Sequence, residues 1–87
     1  MKCLDTCTVV LEYNYGEPGA SVGSGSVWLF NGDGTGDFDS SEPLSSLPGW
    51  CRIVGPIDLD VATGIHSAIK GFLEQSGVTV IDEAVAD

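Results

Sequence analysis

The sequence predicts an α+β fold: a small antiparallel sheet of about four to five strands, with one long and one short helix packed on one face. Three observations carry this expectation. The first third of the chain alternates apolar and polar side chains at the two-residue period of strands. One later segment, 58–75, repeats its apolar residues at three- and four-residue steps instead. The remaining apolar runs are short and are bounded by glycine, proline and aspartate. Eighty-seven residues suit one domain, 1–87, with a modest core.

The segment 6–15 reads as the first strand, half buried. Val9, Leu11, Tyr13 and Tyr15 fall on one face, and Thr8, Val10, Glu12 and Asn14 on the other. Gly16 to Ser21 is a turn by composition. A second strand covers 22–30, with Gly23 and Gly25 marking a bulge or the close approach of another element. Asn31-Gly32 and Asp33-Gly34 are strong hairpin signals, because both dipeptides tolerate positive φ. They lead into a short third strand at 37–39 and an antiparallel meander.

Residues 40–47 fit a helix of about two turns, capped by Asp39 or Ser40 and stopped by Pro48-Gly49, with Leu44 and Leu47 inward. A strand at 50–54 ends at Gly55-Pro56. Asp58 then caps the long helix. Its stripe comprises Val61, Ile65, Ala68, Ile69, Phe72 and Leu73, with Gly64 and Gly71 near it as points of close approach to a sheet. Gly77 is placed as the helix stop, 78–81 as a last strand, and 82–87 as a frayed acidic tail.

Thirteen acidic residues against Lys2, Arg52 and Lys70 give a formal charge of −10. That balance repels nucleic acid and anionic membranes, so direct nucleic-acid binding is not expected, and it steers the chain towards basic partners. Met1 to Cys7 has an acid at position five and no long apolar run, so neither a signal peptide nor a membrane anchor is expected. Three cysteines in no paired framework point to a reducing, cytoplasmic setting.

No enzymatic signature is present. Cys3 and Cys7 have a Cys-x3-Cys spacing and would stand about 13 Å apart on a strand, too far for one tetrahedral zinc. His66, the single histidine, sits at the edge of the helix stripe and has no spacing that suggests a Cys–His pair. Gly32-x-Gly34-x-Gly36 lacks the lysine and long helix of a phosphate loop. No cofactor is expected. Trp28 and Trp50 are core aromatics by default, Trp28 sharing a face with Phe30 and Trp50 with Arg52.

The segment 31–42 holds the most unusual local chemistry. Asp33, Asp37, Asp39 and Glu42 form an acidic recognition surface, with Glu12 and Glu17 as a second cluster. The same segment also matches an EF-hand calcium loop over twelve residues. Its ligand set would be Asn31, Asp33, Thr35, Asp37, Asp39 and Glu42, with Gly36 at the turn and Phe38 at the apolar position. An EF-hand needs a helix on each side, whereas strand-like Val27 to Phe30 precedes this loop and Pro43 follows it.

Asn31-Gly32, then Asp37-Phe38-Asp39-Ser40-Ser41-Glu42, then Leu44 and Leu47-Pro48-Gly49 resemble the central segment of a phage-encoded anti-CRISPR family acting on type I-F systems. The likeness covers 31–49, about a fifth of the chain. The spacing to Leu-Pro-Gly is shorter here, and the elements that follow differ in proportion. The resemblance implies a class and no site: a small non-enzymatic inhibitor that docks on the basic, nucleic-acid-binding surface of an effector subunit and blocks target DNA. The alternatives are a calcium-binding module built on 31–42 and a phage accessory or structural protein with no inhibitory role.

Overall fold

Five of the residues that make the first strand, Cys7 to Leu11, are buried without a break. Alternation predicts one covered face, so both faces of this strand must be covered. The computed structural model, which describes residues 5–15, 23–39 and 42–86, shows how. Strands β1 (Thr6–Asn14), β2 (Ser24–Asn31) and β3 (Trp50–Asp58) are followed by helix α1 (Leu59–Gln75) and strand β4 (Thr79–Ala86). The sheet order is β3-β2-β1-β4, which makes β1 an inner strand.

Helix α1 covers one face. There Val9, Leu11 and Val27 pack with Ala62, supported by Leu29, Val54, Ile57, Leu59, Ile65, Ile69, Leu73 and Val80. The opposite face is covered by the connection between β2 and β3. This connection carries two short 3-10 turns, Thr35–Asp39 and Leu44–Ser46. On that side Val10, Trp28 and Leu44 are buried with Phe38, Leu47, Trp50 and Val85 against them. Val9 and Val10 point to opposite faces and are both fully buried.

The sheet is therefore mixed, has four strands, and is covered on both sides, which corrects the expected antiparallel sheet with both helices on one face. β1–β2 and β2–β3 are antiparallel, but β4 pairs with β1 in parallel. The cause is the long helix. A helix of this length carries the chain back about 25 Å, so the next strand runs in the same direction as β3. β3 already runs parallel to β1, with β2 between them.

Four local expectations change with it. The supposed third strand at 37–39 belongs to a 3-10 turn, because the aromatic ring of Phe38 is drawn towards Trp50. The two-turn helix at 40–47 is a single 3-10 turn at Leu44–Ser46, preceded by an extended Pro43. Residues 40 and 41 lie outside the described residues, as do Gly16 to Val22 with the turn expected there. β3 runs through Gly55-Pro56 to Asp58, since an edge strand tolerates a missing N–H. β4 extends to Ala86, and the tail expected to fray at 82–87 is paired with β1 as far as that residue.

The cap and the stop of α1 follow the sequence. Asp58 Oδ1 accepts from the backbone N–H of Asp60 and Val61, and Gly77 takes a positive φ after the last turn. The stripe is rotated, however. Ala62, Ile65, Ile69 and Leu73 face the sheet, while Val61, Ala68 and Phe72 are exposed. Gly64 and Gly71 do not approach the sheet, and a Cβ at either would meet nothing within 4 Å. Alanine at these two positions should therefore raise stability by about 1 kcal/mol each, through helix propensity alone. Urea denaturation of Gly64→Ala and Gly71→Ala is the check, and a loss in either would mean that the glycine has a contact.

The close approach lies in β2 instead. A Cβ on Gly25 would stand 2.9 Å from Ala62 Cβ, 3.2 Å from Leu59 Cδ1 and 3.3 Å from Leu11 Cδ1. The register of β2 against β3 also shifts between Gly25 and Val27, and again between Val27 and Trp28.

Candidate functional site

The acidic loop after β2 is held to the sheet by a buried threonine. Thr8, the third residue of β1 and fully buried, donates its hydroxyl to the carbonyl oxygen of Gly32 at 2.8 Å. The same Oγ1 accepts from the backbone N–H of Gly34, also at 2.8 Å. The two bonds satisfy backbone groups that the end of β2 would otherwise leave unpaired. Gly32 N–H completes the attachment by donating to the carbonyl of Thr6.

Aromatic packing holds the loop from the other side. The ring of Trp50 lies 5.0 Å from that of Phe30 and 6.0 Å from that of Phe38. Gly34 packs directly under the Trp50 ring, where a Cβ would have no room. Trp50 Nε1–H donates to Asp37 Oδ2 at 2.6 Å, a charge-assisted bond. Asp37 therefore ties the loop to β3.

Asp33 is different. Its carboxylate is exposed and accepts from the Thr35 hydroxyl at 2.6 Å and the Thr35 backbone N–H at 3.0 Å. Those two bonds, the hydroxyl first, hold the Asp33 carboxyl below the usual carboxylate range. Glu42 is also exposed, just before the second 3-10 turn. The side chain of Asp39 and the whole of Glu17 lie outside the described residues.

Glu12, whose expected companion Glu17 lies outside the described residues, stands apart from this loop on β1. It projects from β1 on the same sheet face and accepts from Trp28 Nε1–H at 3.3 Å. Arg52 lies over the Trp28 ring, 5.7 Å from its centroid. Glu12, Trp28 and Arg52 thus form a polar-aromatic stack across three strands, a cross-strand arrangement that stiffens the face beneath the loop.

The EF-hand ligand set is distributed in the same geometry. Asn31 ends β2 opposite Cys7, Asp33 and Thr35 bond to each other, and Asp37 is turned to Trp50. The flanking elements are a strand and a short 3-10 turn. Among the described residues, no three His, Cys, Asp or Glu side chains converge closely enough to hold a metal ion.

No protein-family model matches the chain, and no curated protein or solved structure matches it either.

The cysteines and the histidine have structural positions. Cys7 is fully buried, and desolvation pushes its thiol up and so disfavours the reactive thiolate, an effect partly offset by a hydrogen bond from the Gly32 backbone. Cys51 is an exposed free thiol on β3, and Cys3 lies outside the described residues. His66 is half-buried, with Nε2 3.2 Å from the carbonyl oxygen of Val9. A carbonyl only accepts, so this nitrogen carries the proton and links α1 to β1. Among the described residues no helix is long and apolar enough to cross a membrane.

Sequence reasoning singled out the acids of this loop but missed what holds the loop in place, namely Thr8, Trp50 and Gly34. One signal was available for Thr8: a hydroxyl directly before the run Val9-Val10-Leu11 needs a partner when the strand is buried on both faces.

Proposed function

We propose that the chain is a small, acidic, non-enzymatic binding protein of the cytoplasm. It presents the loop 31–42 to a basic protein surface of the kind that binds nucleic acid, and so blocks that surface, as the anti-CRISPR resemblance implies. The observation that supports this most directly is the exposed Asp33 carboxylate, oriented by Thr35 on a loop that Thr8 and Trp50 pin to the sheet. A carboxylate on an ordered loop loses little conformational freedom when it meets a lysine or arginine. The charge of −10 adds long-range steering towards a basic partner.

Asp33 and Glu42 supply the outward charge, while Asp37 acts mainly by orienting the loop. Binding to a purified type I-F effector complex should weaken about tenfold or more between roughly 0.05 M and roughly 0.3 M salt. Asp33→Lys should slow association by about tenfold with little change in dissociation. Surface plasmon resonance measures both. A complex that is not bound even at low salt would remove this partner. Binding indifferent to salt and to Asp33→Lys would remove the acidic-loop mechanism itself.

A further inference from the structure

The two edges of the sheet differ. At one edge β3 pairs with β2 through a ladder whose register shifts twice, and Pro56 has no N–H to offer. Both features blunt an edge against further pairing. At the other edge β4 pairs with β1 without a shift from Thr79 to Ala86, and among the described residues no strand lies beyond it. β4 contains neither lysine nor proline, the usual guards of an edge.

The phase of this ladder is fixed at its start, where Thr79 N–H donates to the carbonyl oxygen of Asp5 at 3.0 Å. The N–H and C=O of one strand residue point to the same side, and the side alternates along the strand. Thr79, Ile81, Glu83 and Val85 thus turn their backbone groups towards β1. Val80, Asp82, Ala84 and Ala86 turn theirs outward, which leaves a regular row of donors and acceptors about 25 Å long. Ala84 and Ala86 are exposed and bring little bulk beside the row.

Charge selects what can pair there. Asp82 and Glu83, adjacent in the middle of β4, are both exposed. Val80 packs in the layer under α1 and Val85 in the layer on the opposite side. Asp82 therefore lies on the helix face and Glu83 on the face of the acidic loop. Lys70 Nζ, 3.7 Å from Asp82, offsets part of the charge on the helix face only. A second copy is disfavoured at this edge. Two β4 strands paired antiparallel about a two-fold axis would set Asp82 and Glu83 of one copy against the same residues of the other. A strand with basic side chains on both faces gains an opposite charge on each.

We propose that β4 is a docking edge for an extended basic segment of a partner protein, which adds to the four-stranded sheet as a further strand. The outward backbone groups of Val80, Asp82, Ala84 and Ala86 supply the hydrogen bonds, and Asp82 and Glu83 select the charge. The net charge of −10 draws such a segment in. This edge is distinct from the loop 31–42, and its occupation does not require Asp33.

The probe is a blocked, dye-labelled peptide about eight residues long, made of valine and threonine with a pair of adjacent lysines at its centre. Fluorescence anisotropy should show saturable binding to the full chain. Amide exchange followed by NMR should slow about tenfold or more at Val80, Asp82, Ala84 and Ala86, and less at Ile81 and Glu83, whose N–H groups already bond to β1. The same peptide with glutamates in place of the lysines, or N-methylated through its central half, should bind about tenfold more weakly or worse. Glu83→Lys should weaken binding about tenfold with the melting temperature unchanged, because the side chain is exposed. Asp33→Lys should leave binding within about threefold, since it alters only the distant charge. No binding at roughly millimolar peptide would overturn the proposal and make Asp82 and Glu83 guards of the edge alone. Equal binding of the N-methylated or the glutamate peptide would overturn it as well. So would a larger loss in Asp33→Lys than in Glu83→Lys, which would move the contact to the loop.

Discussion

Thr8→Val should destabilise the protein by about 2–4 kcal/mol, more than its near-isosteric shape suggests. The substitution keeps the volume and the β-branching that suit an inner strand. What it removes is the oxygen that accepts from Gly34 N–H and donates to Gly32 carbonyl, each at 2.8 Å. Both backbone groups would then lie against a methyl group, and an unsatisfied buried donor or acceptor costs about 1–3 kcal/mol. A domain of this size has a total stability of about 5–10 kcal/mol, so the melting temperature should fall by roughly 10 °C or more. Trp50 fluorescence should change as well, because the loop that brings Asp37 to its indole N–H is no longer pinned. Thr8→Ser keeps the oxygen and should lose only about 1 kcal/mol for the missing methyl. If Thr8→Val matches Thr8→Ser in calorimetry, the clasp contributes nothing.

Gly25→Val should have a comparable effect through overpacking. Even the first carbon of a side chain would stand 2.9 Å from Ala62 Cβ, and neither atom can turn away because both are fixed to backbone. The helix must lift from β2, which opens contacts with Leu11, Val27 and Leu59 in the same layer. Overpacking of this kind costs about 1–3 kcal/mol, and the lost contacts bring the total to about 3 kcal/mol. Ala62→Gly alone should cost about 1 kcal/mol in helix propensity. Combined with Gly25→Ala, it should recover part of the loss, giving a coupling energy above about 0.5 kcal/mol in a double-mutant cycle. Additive effects would show that the two positions do not meet.

The parts of the fold that sequence revealed are those set by local chemistry. Asp58 as a cap, Gly77 as a stop, and β1 as a strand each depend on a few neighbouring residues, and each was legible, although the alternation of β1 suggested one covered face where both are covered. Gly25 was legible too, as a residue that marks a bulge or a close approach, and it takes part in both. The errors concern partners distant in sequence. Whether Gly64, Gly71, Val61 and Phe72 face the sheet depends on how α1 rolls against it, and a wide apolar arc on a helix leaves that roll open. The parallel pairing of β4 depends on a crossover over two strands. For the loop, the acids could be found from composition, but the tie between Thr8 and Gly34 spans 26 positions and leaves only a weak local trace.

The place of β4 has a consequence for biosynthesis. β1 is the first strand to be translated, and β4 is the last of the four. In the finished sheet they lie side by side, with Thr6 opposite Thr79 and Tyr13 opposite Ala86. Until the later segment emerges, a nascent chain holds the hairpin strands of β1, β2 and β3 with one long side of β1 unpaired. That side leaves backbone N–H and C=O groups unpaired along the apolar run Val9-Val10-Leu11, the kind of edge that templates association with other chains. The sheet is therefore completed by the last of its four strands to be made, which pairs with the first. Ribosome-bound chains truncated after α1 should be sensitive to proteases along β1 and should recruit holding chaperones, and this vulnerability should end when the stretch 79–86 is released.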